Sequence, residues 1–186
     1  MIQMGQTVPL FRLPLLVQGQ LRIVDSRHLH GRWTAICFAN SLSLQRATFL
    51  ELHMDRLHRE RTSLLAVTSH LELNGDDDLS RLSTLALPIV VDTLKRVHRA
   101  FHVSWAAFRT NCNTFLVDPE GFLRFHLIHG LSQRGMTALR TIVEEKRRLW
   151  ERRAGKEEDR RGTRISPSLD GVTRSVAATT VEWENR

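Results

Sequence analysis

The chain has 186 residues, of which 41% are hydrophobic and 25% charged, a composition typical of one soluble globular domain with a sizeable core. It contains no apolar run of 18 residues and no signal-peptide pattern, which predicts a cytoplasmic protein without a membrane span. Two cysteines are too few for a disulfide framework, and the net charge of +7 comes mainly from residues 146–164, where nine Lys or Arg stand against four acids.

The first part of the chain predicts an extended segment, two strands and a long helix. Glycine and prolines punctuate residues 5–14, which favours an extended opening packed against the core, and residues 21–24 (LRIV) predict a short strand. Residues 34–38 are an apolar run between turn signals, typical of a central strand that is buried on both faces. From residue 43 the apolar spacing becomes helical and predicts an amphipathic helix ending near Arg61. The apolar positions of that helix are Leu44, Ala47, Leu50, Met54 and Leu57.

Strands and helices alternate in the next part of the chain. Residues 63–68 (SLLAVT) and 88–91 (PIVV) predict strands, and three aspartates at 76–78 favour a helix N-terminus between them. Thr93 is placed to cap a helix over residues 94–101.

The last part of the chain predicts a β-hairpin, a helix and a polar tail. Residues 113–118 and 122–128 read as antiparallel strands around a tight turn, and a final helix runs over residues 132–150. The order β-β-α-β-α-β-α-β-β-α indicates a mixed central sheet with helices on both faces. We therefore expect a folded domain over residues 1–150 and a polar, charged, flexible tail over residues 151–186.

Five short motifs resemble, in order and spacing, those of the peroxiredoxin family of the thioredoxin superfamily (alkyl hydroperoxide reductase and thiol-specific antioxidant proteins, or redoxins). They are Gly5-x-x-Val8-Pro9-x-Phe11-x-Leu13, Gly31-Arg32-Trp33 with the following apolar strand, residues 65–69 (LAVTS), residues 87–92 (LPIVVD) and residues 114–121 (TFLVDPEG). The resemblance covers roughly residues 1–145 and implies a thioredoxin-like α/β fold. It also implies antioxidant, oxidoreductase chemistry at the turn between the first long strand and the first long helix.

That turn lacks the cysteine which the resemblance implies. Counted from Phe38, the family motif P-x-x-x-T-x-x-C falls on Ser41, Gln45 and Thr48, and the glutamate that often follows is Glu51. A second register, of the W-C-x-x-C type, places Ser43 and Arg46 on the two cysteines. Neither register restores a thiol, so Thr48, at the position of the family's cysteine, is expected to be inactive and structural. The site is therefore predicted to be degenerate.

The two cysteines lie elsewhere in the chain. Cys37 falls inside the buried strand, where desolvation makes a thiol inert, so no disulfide with Cys112 is expected. The resemblance places the family's arginine near Cys112, beside the N-terminus of the first long helix. Cys112 is therefore the candidate catalytic residue of the alternative hypothesis, a divergent thiol-dependent oxidoreductase or peroxidase.

Other binding motifs are weak. Three pairs stand out among the nine histidines, namely His28 with His30, His98 with His102 and His126 with His129. A catalytic zinc needs three converging ligands, so no metal is expected. No GxGxxG, GxxxxGK[ST] or HExxH motif is present, and no cofactor is expected. Acids interleave with the basic residues of 146–164, which argues against nucleic acid as a partner.

The leading hypothesis is a redoxin-family protein with a degenerate active site, without thiol peroxidase activity, that acts by binding or assembly. Whether the chain is an enzyme stays open between this hypothesis and the one based on Cys112. A homodimer is a hypothesis that the family resemblance implies. A protein partner held by the basic C-terminal region is a second hypothesis.

Overall fold

The computed structural model describes residues 3–103, 113–128 and 133–162, with the side chains of the last range up to Arg153. The chain divides into two units, Met1–Leu149 and Trp150–Arg186. No helix in the described ranges is both long enough and apolar enough to cross a membrane.

Seven strands and four α-helices make up the described structure. The strands are β1 (Arg12–Val17), β2 (Gln20–Asp25), β3 (Trp33–Ser43), β4 (Thr62–Glu72), β5 (Ile89–Val91), β6 (Asn113–Val117) and β7 (Leu123–Ile128). The helices are α1 (Leu44–Arg59), α2 (Asp76–Thr84), α3 (Arg96–Ala100) and α4 (Gln133–Gly162), with a short 3₁₀ helix at Ser26–Leu29. The strands form one sheet in the order β2-β1-β5-β4-β3-β6-β7, in which β3, β4 and β5 are parallel and the outer strands antiparallel. The predicted mixed sheet is confirmed.

Strand β1 is an addition to the predicted elements. The sequence predicts an extended opening over residues 5–14, packed against the core, with no strand named there. In the structure Arg12–Val17 pairs with β2 along its whole length and with β5 at Leu15 and Leu16. The turn between β1 and β2 is Gln18-Gly19, and both residues have positive φ angles of 48° and 70°. Two such residues give the tight turn that suits a twisted hairpin. Pro14 obscured this strand, because proline is rare inside sheets.

The core lies on both faces of the sheet because β3 and β4 alternate their side chains between the faces. On one face Ile36 and Phe38 join a cluster with Phe115 of β6, with Val97 of α3 and with Phe101, which directly follows α3. The rings of Phe38 and Phe101 are 4.9 Å apart, centroid to centroid. The buried Leu50 and Leu57 of α1 do not belong to this cluster, and α1 lies against β3 and β4. Helices therefore cover both faces.

Helix α3 is shorter than predicted, and its cap is a different residue. The helix was expected over residues 94–101 with Thr93 as its cap, but it spans Arg96–Ala100. The carboxylate of Asp92, 1% exposed, accepts hydrogen bonds from the backbone N–H groups of Arg96, Val97 and His98 at 2.8–3.0 Å. A buried carboxylate with three such donors replaces the hydroxyl cap, because charge-assisted hydrogen bonds are the stronger ones.

Helix α4 continues past its predicted end. The hydrophobic periodicity of the sequence fades near Trp150 and predicts that the helix ends there. In the structure the backbone stays helical to Gly162. Residues 151–162 are rich in Glu, Arg and Lys, which are good helix formers, and contain no proline. The helix propensity of these residues therefore accounts for the part of α4 after Trp150, where the sequence has no regular apolar spacing.

Candidate functional site

The candidate site lies where β3 runs into α1 without an intervening loop. Ser43 is the last residue of β3 and also the N-cap of α1, with extended backbone (φ −81°, ψ 161°) and its Oγ accepting from the Arg46 N–H at 3.4 Å. Serine is a preferred N-cap because its oxygen satisfies a donor that the helix leaves open. This junction is the predicted strand-to-helix turn, reduced to a single residue.

A cavity of about 430 Å³ opens at this junction. It is lined by Ser43, Leu44, Gln45, Thr48, Asn74 and Asp78. The last two residues come from the segment that enters α2, where the Asp78 carboxylate accepts from the Asn74 N–H at 2.9 Å. The cavity wall therefore carries hydroxyl, amide and carboxylate groups around the first turns of α1, whose open N–H groups favour polar ligands.

The structure brings two of the three motif positions together at the cavity. Gln45 and Thr48 line it, while Ser41 lies within β3, paired opposite His70 and only 9% exposed. Ser41 therefore belongs to the strand and not to the turn where its sequence position had placed it. Its carbonyl accepts from Arg46 Nη1 at 3.4 Å, so the arginine side chain folds back over the junction.

Thr48 lies one turn inside α1. Its Oγ1 donates to the carbonyl of Leu44 at 3.0 Å, the common arrangement of a threonine within a helix. Glu51, one turn further on, accepts from the Ala86 N–H at 2.5 Å and so ties α1 to the segment that follows α2. Both contacts are structural, and neither supplies a base to activate a hydroxyl.

The two cysteines differ in what the structure describes. Cys37 is 1% exposed in the centre of β3, with its Sγ 3.2 Å from Thr114 Oγ1 on the neighbouring strand β6. A thiol so enclosed is out of reach of solvent oxidants. Cys112 lies outside the described residues, as does His129.

A buried histidine–carboxylate pair, which sequence reasoning missed, lies near the same edge of the sheet. His98 Nδ1 is 2.8 Å from Asp92 Oδ2, and His98 Nε2 is 3.4 Å from the carbonyl oxygen of Ala39 in β3. The D-x-x-x-x-x-H spacing carries no recognised signal, since Asp92 directly follows β5 and His98 lies in α3. The pair ties α3 to β3 at Ala39.

The histidine pairs noted in the sequence do not converge. His102 lies beyond the end of α3, exposed and with φ +50°, so it does not share a helix face with His98. His126 stacks on Phe115 at 4.2 Å, and burial lowers the pKa of its imidazole. Within the described residues, no three or more His, Cys, Asp or Glu side chains gather in a metal-binding arrangement.

No protein-family model and no curated protein matches this sequence. Solved structures do resemble it. Thioredoxin peroxidase I of Plasmodium yoelii superposes with a TM-score of 0.65 at 12% identity, covering 80% of this chain and 93% of that one. An AhpC of Enterococcus faecalis gives 0.63 at 17% identity and covers 90% and 100%. A reduced 2-Cys peroxiredoxin of Plasmodium vivax gives 0.65 at 13% identity and covers 81% and 99%.

These similarities establish the fold. The seven-stranded mixed sheet, with α1 entering from its central strand, is a thioredoxin-like fold of the peroxiredoxin type. At identities of 12–17% they say nothing further about the chemistry of the cavity.

Proposed function

We propose that this chain is a redoxin-class protein of peroxiredoxin type that lacks thiol peroxidase activity and acts by binding or assembly. The observation that carries the proposal is the cavity at the start of α1. Among the described residues, the side chains that line it are Ser43, Leu44, Gln45, Thr48, Asn74 and Asp78, and none of these is a thiol. Neither sequence register, the one ending on Thr48 or the one using Ser43 and Arg46, supplies a cysteine here.

The missing thiol decides the chemistry. Peroxide reduction requires a thiolate that attacks an O–O bond and becomes a sulfenic acid, and a helix N-terminus promotes it by lowering the cysteine pKa. An alcohol cannot pass through that oxidation state. Here the Ser43 and Thr48 oxygens already take part in hydrogen bonds to α1 itself. Such a site holds a polar ligand or a partner's polar group but exchanges no electrons with peroxide.

The assembly part of the proposal is a homodimer in the cytoplasm. The sequence motifs that resemble the peroxiredoxin family imply a homodimer, and the proposal extends that expectation to this chain. Sedimentation velocity over a hundredfold range of protein concentration tests it: a single species of monomer mass throughout would exclude the dimer.

Hydroperoxide turnover tests the catalytic part of the proposal. The wild-type chain, Cys112→Ala and Cys37→Ala are each mixed with hydrogen peroxide and an external thiol, and peroxide loss is followed beside an active peroxiredoxin. No turnover above the thiol background is expected for any of the three chains. Turnover that disappears only in Cys112→Ala would establish the divergent oxidoreductase instead, and turnover that survives in Cys112→Ala would place a redox centre where none is proposed.

A further inference from the structure

The part of α4 that belongs to the second unit, residues 150–162, is rich in charge, with nine charged residues among thirteen. Five basic residues and four acids alternate irregularly along it, so that the sequence shows no charged segment of one sign. The basic residues are Arg152, Arg153, Lys156, Arg160 and Arg161, and the acids are Glu151, Glu157, Glu158 and Asp159. The structure changes this picture because the backbone is helical throughout.

The helical register sorts these charges onto different sides. Arg152, Lys156 and Arg160 occupy positions i, i+4 and i+8, and Arg153 is seven residues from Arg160, so the four positions fall within an arc of about 100°. The positions of Glu151 and Glu158 lie about 150° or more from the centre of that arc. Glu157 and Asp159 border it on either side. The four basic positions, here called the basic row, therefore form a one-signed stripe.

The basic row is unfavourable for the helix on its own. Like charges four residues apart repel each other, and the row contains two such steps in succession. Carboxylates offset part of this repulsion, because Glu157 lies four residues after Arg153 and Asp159 three residues after Lys156. Arg152 has no such partner, since the positions three and four residues after it are Gly155 and Lys156. A polyanion lying along the row would relieve the repulsion that remains.

The spacing of the row suits a line of phosphates. At a rise of 1.5 Å per residue, its cations recur about every 6 Å over about 12 Å of helix axis. Duplex nucleic acid carries one negative charge per about 1.7 Å of its axis, and an α-helix fits its major groove. We propose that the basic row binds the phosphate backbone of duplex nucleic acid without reading its sequence. Along the sequence the acids alternate with the basic residues, which argued against nucleic acid as a partner. In the helix the four basic positions lie together on one side.

The composition of the segment disfavours the other polyanionic surface, an anionic membrane. Helices that lie in a membrane interface bury an apolar face. Within residues 150–162 the apolar side chains are those of Trp150, at the first position, and Ala154, which do not form an apolar face. Single strands are disfavoured as well, because their binding relies on aromatic platforms for successive bases and the segment contains one aromatic residue, Trp150.

Fluorescence anisotropy with a labelled 20-base-pair DNA of mixed sequence tests the proposal on the full chain. The wild type is expected to bind in the micromolar range at about 50 mM salt and to weaken steeply with added salt. The triple variant Arg152→Gln/Lys156→Gln/Arg160→Gln should bind at least about tenfold more weakly, and its log–log salt slope should be shallower by roughly two to three, near 0.9 per lost phosphate contact. The matched control Arg32→Gln/Arg59→Gln/Arg81→Gln removes the same charge from exposed positions elsewhere and should bind as the wild type does.

A second variant tests whether the helical arrangement of the basic row is needed, and not only its charge. Gly155→Pro keeps every charged residue but interrupts α4 within the row, because proline clashes with the preceding turn. It should lose binding as the triple variant does, with the helical loss followed by circular dichroism. Equal binding by Gly155→Pro and wild type, or equal losses in the triple variant and its control, would overturn the proposal. So would binding of phosphatidylserine vesicles without binding of the duplex, or no binding of the duplex at 50 mM salt.

Discussion

The hydroxyls of Ser43 and Thr48 occupy different environments at the start of α1. Ser43 is the N-cap and faces the cavity, whereas Thr48 is one turn further in and donates to its own helix. The two family registers divide between these residues, with the thiol position at Ser43 in one and at Thr48 in the other. Replacing each residue in turn by cysteine therefore tests which of the two positions still has the environment of a reactive thiol.

In a Cys112→Ala background, Ser43→Cys should react with a maleimide several-fold faster at pH 7 than Thr48→Cys. Open N–H groups at the N-terminus of a helix stabilise a thiolate, and that effect fades within the first turn. Labelling rates between pH 5 and 9 give both pKa values, and the buried Cys37 in the background chain supplies the blank. Faster reaction of Thr48→Cys would contradict this expectation and would favour residue 48 as the position suited to a reactive thiol.

His53 is a buried histidine of α1 that faces α4. It is 1% exposed, its Nε2 lies 3.2 Å from Gln133 Oε1, and its ring centroid is 4.6 Å from that of Phe49. Burial lowers the pKa of its imidazole, and the nearby positive charges of Arg56 and Arg140 lower it further despite the hydrogen bond to Gln133. The folded protein therefore binds a proton at His53 less readily than the unfolded chain does.

This pKa shift predicts that acid destabilises the fold. Because the pKa is lowered on folding, the contribution is complete above the unfolded value of about 6.5 and is lost as the pH falls through it, with at most about 1.4 kcal/mol per pH unit per proton. Urea unfolding at pH 7.5, 6.5 and 5.5 should show a smaller decline for His53→Gln than for the wild type. His58→Gln, an exposed position on the same helix, should keep the wild-type decline. Identical declines in all three proteins would contradict the assignment.

At the scale of elements, boundaries follow capping and propensity more closely than apolar spacing. Helix α1 matches its prediction within two residues at its C-terminal end because its apolar face is regular and Ser43 caps it. Helix α3 departs because its cap is Asp92, a buried aspartate that directly follows β5. Thr93, the cap predicted from the sequence, is exposed.

Substituting the two candidate caps of α3 should have very different effects. Asp92→Asn keeps the size but weakens three backbone hydrogen bonds and the contact with His98, so we expect a loss of about 2–4 kcal/mol in unfolding free energy. Thr93→Ala should change it by less than about 0.5 kcal/mol, as exposed substitutions usually do. Chemical denaturation of both variants measures the difference. A loss of 1 kcal/mol or more in the unfolding free energy of Thr93→Ala would support the Thr93 cap predicted from the sequence.

At the scale of the whole molecule, the sheet belongs to the first unit. The parallel strands β3, β4 and β5 form its centre, and antiparallel hairpins extend it on both sides. Helix α4 contributes Met136, Leu139 and Val143, all fully buried, before the division after Leu149. Among the described side chains, the buried apolar ones therefore precede Trp150.

A chain that ends at Leu149 should fold like the full protein. We expect a cooperative thermal transition within about 4 °C of the full chain, a shift that corresponds to 1 kcal/mol or less for a domain of this size. The comparison by differential scanning calorimetry should be made at equal protein concentration, because self-association also raises the transition temperature. A non-cooperative transition would assign part of the core to residues 150–186.

The amino-acid order alone determined the alternation of strands and helices, the buried central strand around Phe38, the closing hairpin and the absence of a thiol between Cys37 and Cys112. Those features depend on local patterns, so local physics is enough to find them. The pairing of β1, the Asp92–His98 contact and the cavity formed by Gln45, Thr48 and Asp78 join residues that are distant in sequence. Only tertiary structure decided them, because a hydrogen bond or a cavity wall depends on the positions of both sides and a local pattern specifies one side at a time.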